Sequence, residues 1–270
     1  MATTEHRASR WLAGLRPRRS AAPAEGPSTS ALLARVGAPL HPAALDCVIA
    51  ANVHGLYCVP RSSAHRPACQ TILRGDVWEP ETVALVCSTD PSGDVVTAGA
   101  FFGDLLPAIA RSRQPGAHVW AFEPNRENHR CAQITVVLNG LQSVTVEHAA
   151  LAEEAGLVTL TTADEDGVPL GGGSRVSDAP SAAVRTEQVQ ARSIDEMVPA
   201  DRRVAVIQLD VEGHEQQALV GASRTIERWR PLLVVESTPS DAWVAANLTP
   251  LGYQPDGLVH WNRVFRATPS

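Results

Sequence analysis

The stretch DVVTAGAFFGD, Asp94 to Asp104, decides the fold. A short β-branched run ends in two glycines four residues apart, and a helix-like segment over 104–113 follows. A buried strand that feeds a helix through a tight turn has this form, because glycine permits positive φ and lets the backbone approach a ligand closely. The spacing is not the Gly-x-Gly-x-x-Gly of a dinucleotide site, so the turn predicts a small-molecule site without naming its ligand.

Working outward, strand-like runs recur at 94–98, 118–122, 143–148, 204–209 and 232–236, separated by helix-like segments at 104–113, 125–138, 213–229 and 240–251. Such alternation predicts an α/β protein with a mostly parallel sheet and helices on both faces. Two short pieces, 252–255 and 260–266, predict a final antiparallel pair. Over 157–190 the helical period is lost, and the segment reads as an inserted strand, loop and strand around Gly171-Gly172-Gly173-Ser174-Arg175. Upstream, the apolar run 43–51 predicts a helix, and 80–87 a second one with Pro80 in its first turn. Residues 41–90 are therefore expected to form a helical cover ahead of a main domain over 91–270. Residues 1–40, rich in Arg, Ala, Pro and Ser, have the composition of a mostly disordered arm.

The 270 residues, 44% hydrophobic and 19% charged, suit one globular domain with an appendage. A net charge of −6 argues against a nucleic-acid surface. All 23 basic residues are arginine. The absence of lysine excludes a Walker A loop, a pyridoxal Schiff base and a lysine general base, each of which needs an amine. The five cysteines, Cys47, Cys58, Cys69, Cys87 and Cys131, form no Cys-x-x-Cys pair, so neither a disulfide framework nor a zinc knuckle is indicated, and a cytoplasmic protein is expected. No apolar run is long enough for a secretory signal or a membrane span.

In open α/β sheets the ligand sits outside the carboxyl ends of the strands, where strand order reverses. Glu123, at the second strand end, lies about 20 residues after the glycine turn, where an acid accepts hydrogen bonds from ribose hydroxyls. Turn plus acid predict a ribose-bearing ligand.

The segments DVVTAGAFFGD, AFEPNRENHR, Asn139-Gly140, the Asp195 of RSIDEM, IQLDVEGHEQQAL and RPLLVVE occur in the order seen in the FkbM family of S-adenosylmethionine-dependent methyltransferases. The chain resembles that family from about Arg74 to its end, and FEPN together with DVEGHE carries the likeness. The resemblance implies a Rossmann-like class I methyltransferase fold, with a seven-stranded, mostly parallel sheet and an antiparallel last strand. It implies S-adenosyl-L-methionine as cofactor, with Gly99, Ala100, Phe102 and Gly103 around its methionine end and Glu123 on its ribose. Asn125 and Asn128 would sit beside the ribose, His148 and Ala149 near the adenine, and Asp210 at the junction of cofactor and acceptor. Most members have an Asp where this chain has Thr97, and a Lys where it has Gln208. Thr97, at a cofactor-binding position, is a weaker acceptor for the cofactor ammonium, so either affinity is lower or another group such as Glu79 compensates.

The implied activity is O-methylation of a hydroxyl on a sugar or a hydroxylated secondary metabolite, in natural-product or glycan biosynthesis. N-methylation of a small molecule and a non-catalytic methyltransferase-like scaffold are the alternatives. The expected partner is a small-molecule or glycosylated acceptor, neither nucleic acid nor membrane, with homo-oligomerisation left open. Asp210 and Glu212, two apart at the fourth strand end, share a face if the strand continues, and His214 follows. An imidazole beside carboxylates suits proton removal from a hydroxyl, with His214 as base and Asp210 orienting it or the substrate. Equally, Glu212 and Glu215 would cap the next helix, or Asp210 and Glu212 would hold magnesium. The loop 171–177, with Ser174 and Arg175, is either an acceptor lid or a solvated loop.

Overall fold

The computed structural model describes residues 45–177 and 180–268. The arm expected over 1–40 lies outside them. The described chain begins with a β-hairpin, β1 (Cys47–Asn52) and β2 (Gly55–Pro60), where a helix was expected over 43–51. The reason is local: Val48 and Ile49 are β-branched, and Asn52 closes the turn by accepting the His54 amide at 2.8 Å. Two short helices follow, α1 (Pro67–Leu73) and α2 (Pro80–Cys87), each opening on a proline that has no amide to leave unpaired.

The chain then alternates through β3 (Asp94–Ala98), α3 (Leu106–Arg111), β4 (Val119–Phe122), α4 (Arg126–Leu138) and β5 (Val144–Glu147). After the short β6 (Ala150–Leu151), the segment expected as strand, loop and strand forms β7 (Gly156–Ala163), β8 (Arg175–Val176) and β9 (Arg185–Arg192). These four make a separate sheet of order β6-β9-β7-β8. The main sheet resumes with α5 (Ile194–Met197), β10 (Val204–Leu209), α6 (Glu215–Val220), α7 (Ser223–Trp229) and β11 (Leu232–Val235). It ends with α8 (Asp241–Asn247), β12 (Tyr253–Val259) and β13 (Asn262–Ala267).

Its order is β12-β13-β11-β10-β3-β4-β5, with β13 antiparallel to β11 and the strands from β11 to β5 parallel. Strand order reverses between β3 and β10, which places the ligand-binding crevice at their carboxyl ends. Alternate residues feed the two faces: Val96, Ala98, Ile207, Leu209, Leu233 and Val235 pack with Ile226 on one side. Val95, Val206 and Val234 pack with Leu106 and Ile109 on the other. The single helix expected over 213–229 is broken into α6 and α7. A Cβ at Gly221 would lie 2.1 Å from the carbonyl oxygen of Ala152, so the chain must pass close to another backbone there.

Asp94 ties the lower end of the sheet together. It is 2% exposed and accepts from the His118 amide at 2.8 Å, Trp120 Nε1 at 2.9 Å and Arg202 Nη2 at 2.6 Å. Replacing Asp94 with alanine strands two half-buried donors and one half-buried guanidinium, so unfolding free energy should fall by about 3 kcal/mol. Urea denaturation measures it, and a loss under about 0.5 kcal/mol, the scatter of ordinary surface changes, would show that the network is dispensable.

Candidate active site

The glycine turn is strained in the way a binding loop requires. Gly99 and Gly103 take φ of 78° and 84°, and Phe101 between them takes 46°, a value costly for a residue with a Cβ. Burial of the Phe101 ring against Phe102, centroids 4.7 Å apart, holds it there. So does the Phe101 amide, which donates to Glu123 Oε2 at 2.7 Å. The Asn125 amide donates to Glu123 Oε1 at 2.8 Å, so both carboxylate oxygens are fixed by backbone donors. Burial nevertheless pushes the Glu123 carboxyl up to about 8, against the lowering effect of those hydrogen bonds.

A cleft, open at its mouth, runs from this acid across the ends of β3 and β10. Gly99, Glu123, Ala149, Ser174, Asp210 and His214 line it, with Leu151, Leu160 and Val176 as an apolar wall. The structure therefore brings together the turn, the strand-end acid and the residues after β10 that the sequence singled out.

Other expected residues stand behind the cleft instead of lining it. Ala100 and Phe102 are core residues, and the Ala100 amide donates to the Phe122 carbonyl at 3.1 Å. Gly103 closes the turn on the Ala100 carbonyl at 2.7 Å. Asn125 caps α4 through the amides of Glu127 and Asn128, at 3.0 and 3.2 Å. Its Nδ2 donates to Ser174 Oγ at 3.1 Å, while Asn128 Nδ2 reaches the Gly171 carbonyl at 3.1 Å. His148 is exposed and stacks on His129 of α4, with ring centroids 4.9 Å apart.

Thr97 requires a correction. It is 2% exposed, and its hydroxyl donates to Oε1 of Gln208, which is 3% exposed and faces it in register across β3 and β10. The two positions at which the sequence departs from the resemblance thus satisfy each other inside the sheet.

The loop over 171–177 also differs from the expected lid or solvated loop. Gly171 to Gly173 form one tight turn, and a Cβ at each position would meet Ser63 Oγ at 2.6 Å, the Phe101 ring at 3.2 Å or Arg66 Nη2 at 2.7 Å, respectively. Close packing requires these glycines, and the hydrogen bonds from Asn128 and Ser174 to Gly171 pin the turn. Arg175 is exposed, and with Arg66 it draws down the proton affinity of Glu212.

Asp210 and Glu236 end neighbouring strands. The Asp210 amide donates to the Ala98 carbonyl and the Glu236 amide to the Leu209 carbonyl, both at 3.0 Å. Asp210, Glu212 and Glu236 each present an oxygen within 4.8 Å of the others. Burial, then the charge of Glu236, raises Asp210 well above the usual carboxylate range. Burial and Glu236 likewise raise Glu212. Glu236 was missed in the sequence, although it ends the run LLVVE and the strand-end rule applies to it equally. Glu215 acts as the cap anticipated for it: it is buried, and its Oε1 accepts from the Val211 amide at 3.1 Å. His214 precedes α6 and lines the cleft.

Acids dominate the electrostatics. Glu79 raises Asp104, which burial and that charge push up to about 7, and Asp104 in turn raises Glu123. Glu79 and Glu212 add to the charges acting on Asp210.

The methyltransferase FkbM domain matches residues 97–254, more than half of the chain. The chain belongs to the FkbM methyltransferase family. Among solved structures, the methyltransferase FkbM of Methylobacillus flagellatus is similar over 65% of this chain at 23% identity, with a TM-score of 0.43. This chain spans only 43% of that protein's length. A SAM-dependent methyltransferase from Aquifex aeolicus is similar over 70% of this chain and 89% of its own, at 14% identity and a TM-score of 0.39. A tRNA (uracil-54, C5)-methyltransferase of Pyrococcus abyssi, solved with S-adenosyl-L-homocysteine, matches 82% of this chain and 44% of its own at 10% identity and a TM-score of 0.41. No curated protein matches.

The sheet is that of a Rossmann-like class I methyltransferase, and the matching family is one of methyltransferases. The residues present fit S-adenosylmethionine: a carboxylate held by two backbone donors suits the ribose, and the acids suit a ligand carrying sulfonium and ammonium charges. Among the described residues, no helix is long and apolar enough to cross a membrane.

Proposed function

We propose that this FkbM methyltransferase methylates a hydroxyl of a sugar or a hydroxylated secondary metabolite. One observation carries the proposal: His214 and Asp210 line the same cleft as Gly99 and Glu123. Glu123 would hold the ribose and the turn at Gly99 the methionine end. The bound cofactor supplies an electrophilic methyl group. His214 would take the proton from the acceptor hydroxyl as the oxygen attacks. Asp210, whose proton affinity is raised by burial and then by the charge of Glu236, would orient that hydroxyl. A nitrogen acceptor needs less help in losing its proton, so three acids and an imidazole at the strand ends favour oxygen. Asp210, Glu212 and Glu236 are also the oxygen donor set that a magnesium ion would take to grip a vicinal diol.

The test is calorimetric titration with S-adenosylhomocysteine, followed by turnover on glycosylated acceptors with and without magnesium. His214→Ala should leave S-adenosylhomocysteine affinity unchanged and slow turnover by about 100-fold, the usual worth of a general base. Unchanged turnover would move the proton to the Asp210–Glu236 pair. Absence of S-adenosylhomocysteine binding by folded protein would favour the scaffold alternative.

A further inference from the structure

Trp261 is 76% exposed. It occupies the turn between β12 and β13, where His260 takes φ of 53°. Because β13 is antiparallel to β11 and Arg263 lies opposite Val235, this turn projects past the carboxyl end of β11, the edge at which Glu236 stands. Two side-chain contacts hold it there. Asn262 Nδ2 donates to Glu79 Oε2 at 2.9 Å, and Arg263 Nε donates to Thr238 Oγ1 at 3.1 Å. The His260 ring stands edge-on between Trp78 and Trp261, with 5.6 Å between centroids on either side, and its Nε2 is 3.9 Å from Glu79. Glu79 is in turn one of the charges felt by Asp210. A row of aromatic rings, Trp78, His260 and Trp261, therefore leads from Glu79 out to solvent.

We propose that Trp261, backed by His260 and Trp78, is the platform on which a ring of the methyl acceptor stacks. The acceptor is then a ring-bearing, polyhydroxylated molecule whose reacting hydroxyl reaches toward Asp210. An isolated exposed indole would need no explanation. This one is fixed by the edge-on ring of His260, whose left-handed backbone a non-glycine residue adopts at a cost, and its turn projects past the strand end that carries Glu236. A rigid apolar face beside a few convergent polar groups is how small-molecule sites orient a ligand. This assignment rests on methyl transfer being the reaction, and on the acceptor entering over β11.

The probe is phenyl β-D-glucopyranoside, added to wild type, Trp261→Ala and Trp261→Phe saturated with S-adenosylhomocysteine, with saturation-transfer NMR reading its ring protons. Wild type should show transfer, Trp261→Ala should weaken binding of the probe about fivefold, and Trp261→Phe should restore most of it. S-adenosylhomocysteine affinity, measured in parallel, should be equal in all three, which excludes misfolding as the cause. Equal transfer in wild type and Trp261→Ala, or none in wild type that binds S-adenosylhomocysteine, overturns the platform alone. Loss of S-adenosylhomocysteine binding in wild type overturns methyl transfer and the platform with it.

Discussion

Replacing Glu123 with alanine is expected to weaken S-adenosylhomocysteine binding by about 100-fold, read by calorimetry. Hydrogen bonds to an ionised group contribute roughly 1.5–3 kcal/mol, and each 1.4 kcal/mol is a factor of ten. The variant loses the ribose acceptor and leaves the Phe101 and Asn125 amides without theirs. A loss under about threefold, smaller than one neutral hydrogen bond, would remove Glu123 from the cofactor site.

The same acid makes binding pH-dependent. Its carboxyl is pushed up to about 8 by burial, above the value near 4.5 that it has in the unfolded chain. The folded protein thus keeps a proton that the unfolded chain has released. Stability from this group is complete below about 4.5 and declines as pH rises through about 8. Asp104, at about 7, acts in the same direction. A ligand that pairs with the ionised carboxylate must expel the proton, so binding at pH 7 should release it. Titration heats should accordingly differ between phosphate and Tris buffers.

Gly99→Ala should abolish cofactor binding and lower the melting temperature by about 10 °C, since about 4 kcal/mol corresponds to that shift in a domain of this size. Two penalties combine. The φ of 78° is unfavourable for alanine, and the added Cβ would lie 1.8 Å from the carbonyl oxygen of Asp210, which forces the ends of β3 and β10 apart. Gly167 separates the two effects: it has the same φ of 78° but nothing within 4 Å of its Cβ position. Gly167→Ala should cost only about 1 kcal/mol, the conformational term. Equal losses in the two variants would mean that the contact with Asp210 is absorbed without harm.

The parallel strands were legible because each is buried on both faces, and such strands are written as short apolar runs between turns. Glu123 was legible for a related reason: its distance from the turn is set by one helix and one strand. What stayed hidden depends on partners distant in the chain. The break at Gly221 needs the carbonyl of Ala152, and the packing of Gly171 to Gly173 needs Ser63, Phe101 and Arg66. A glycine triplet looks the same whether it serves flexibility or close approach. The hairpin at Cys47–Asn52 was misread because a short apolar run has no period that distinguishes strand from helix, and the pairing with Gly55–Pro60 settles the matter.

Thr97 and Gln208 behave as one inherited unit. Most relatives have an acid and an amine at these places, and here a hydroxyl meets an amide in the same buried slot. An aspartate restored at 97 alone would be a charge facing an amide deep in the sheet, and a lysine restored at 208 alone would face a hydroxyl. Either half-step costs more than the finished exchange, because the two sites are in contact and their effects do not add. A change at either position alone therefore leaves the other without its partner, whereas a paired change keeps the slot satisfied.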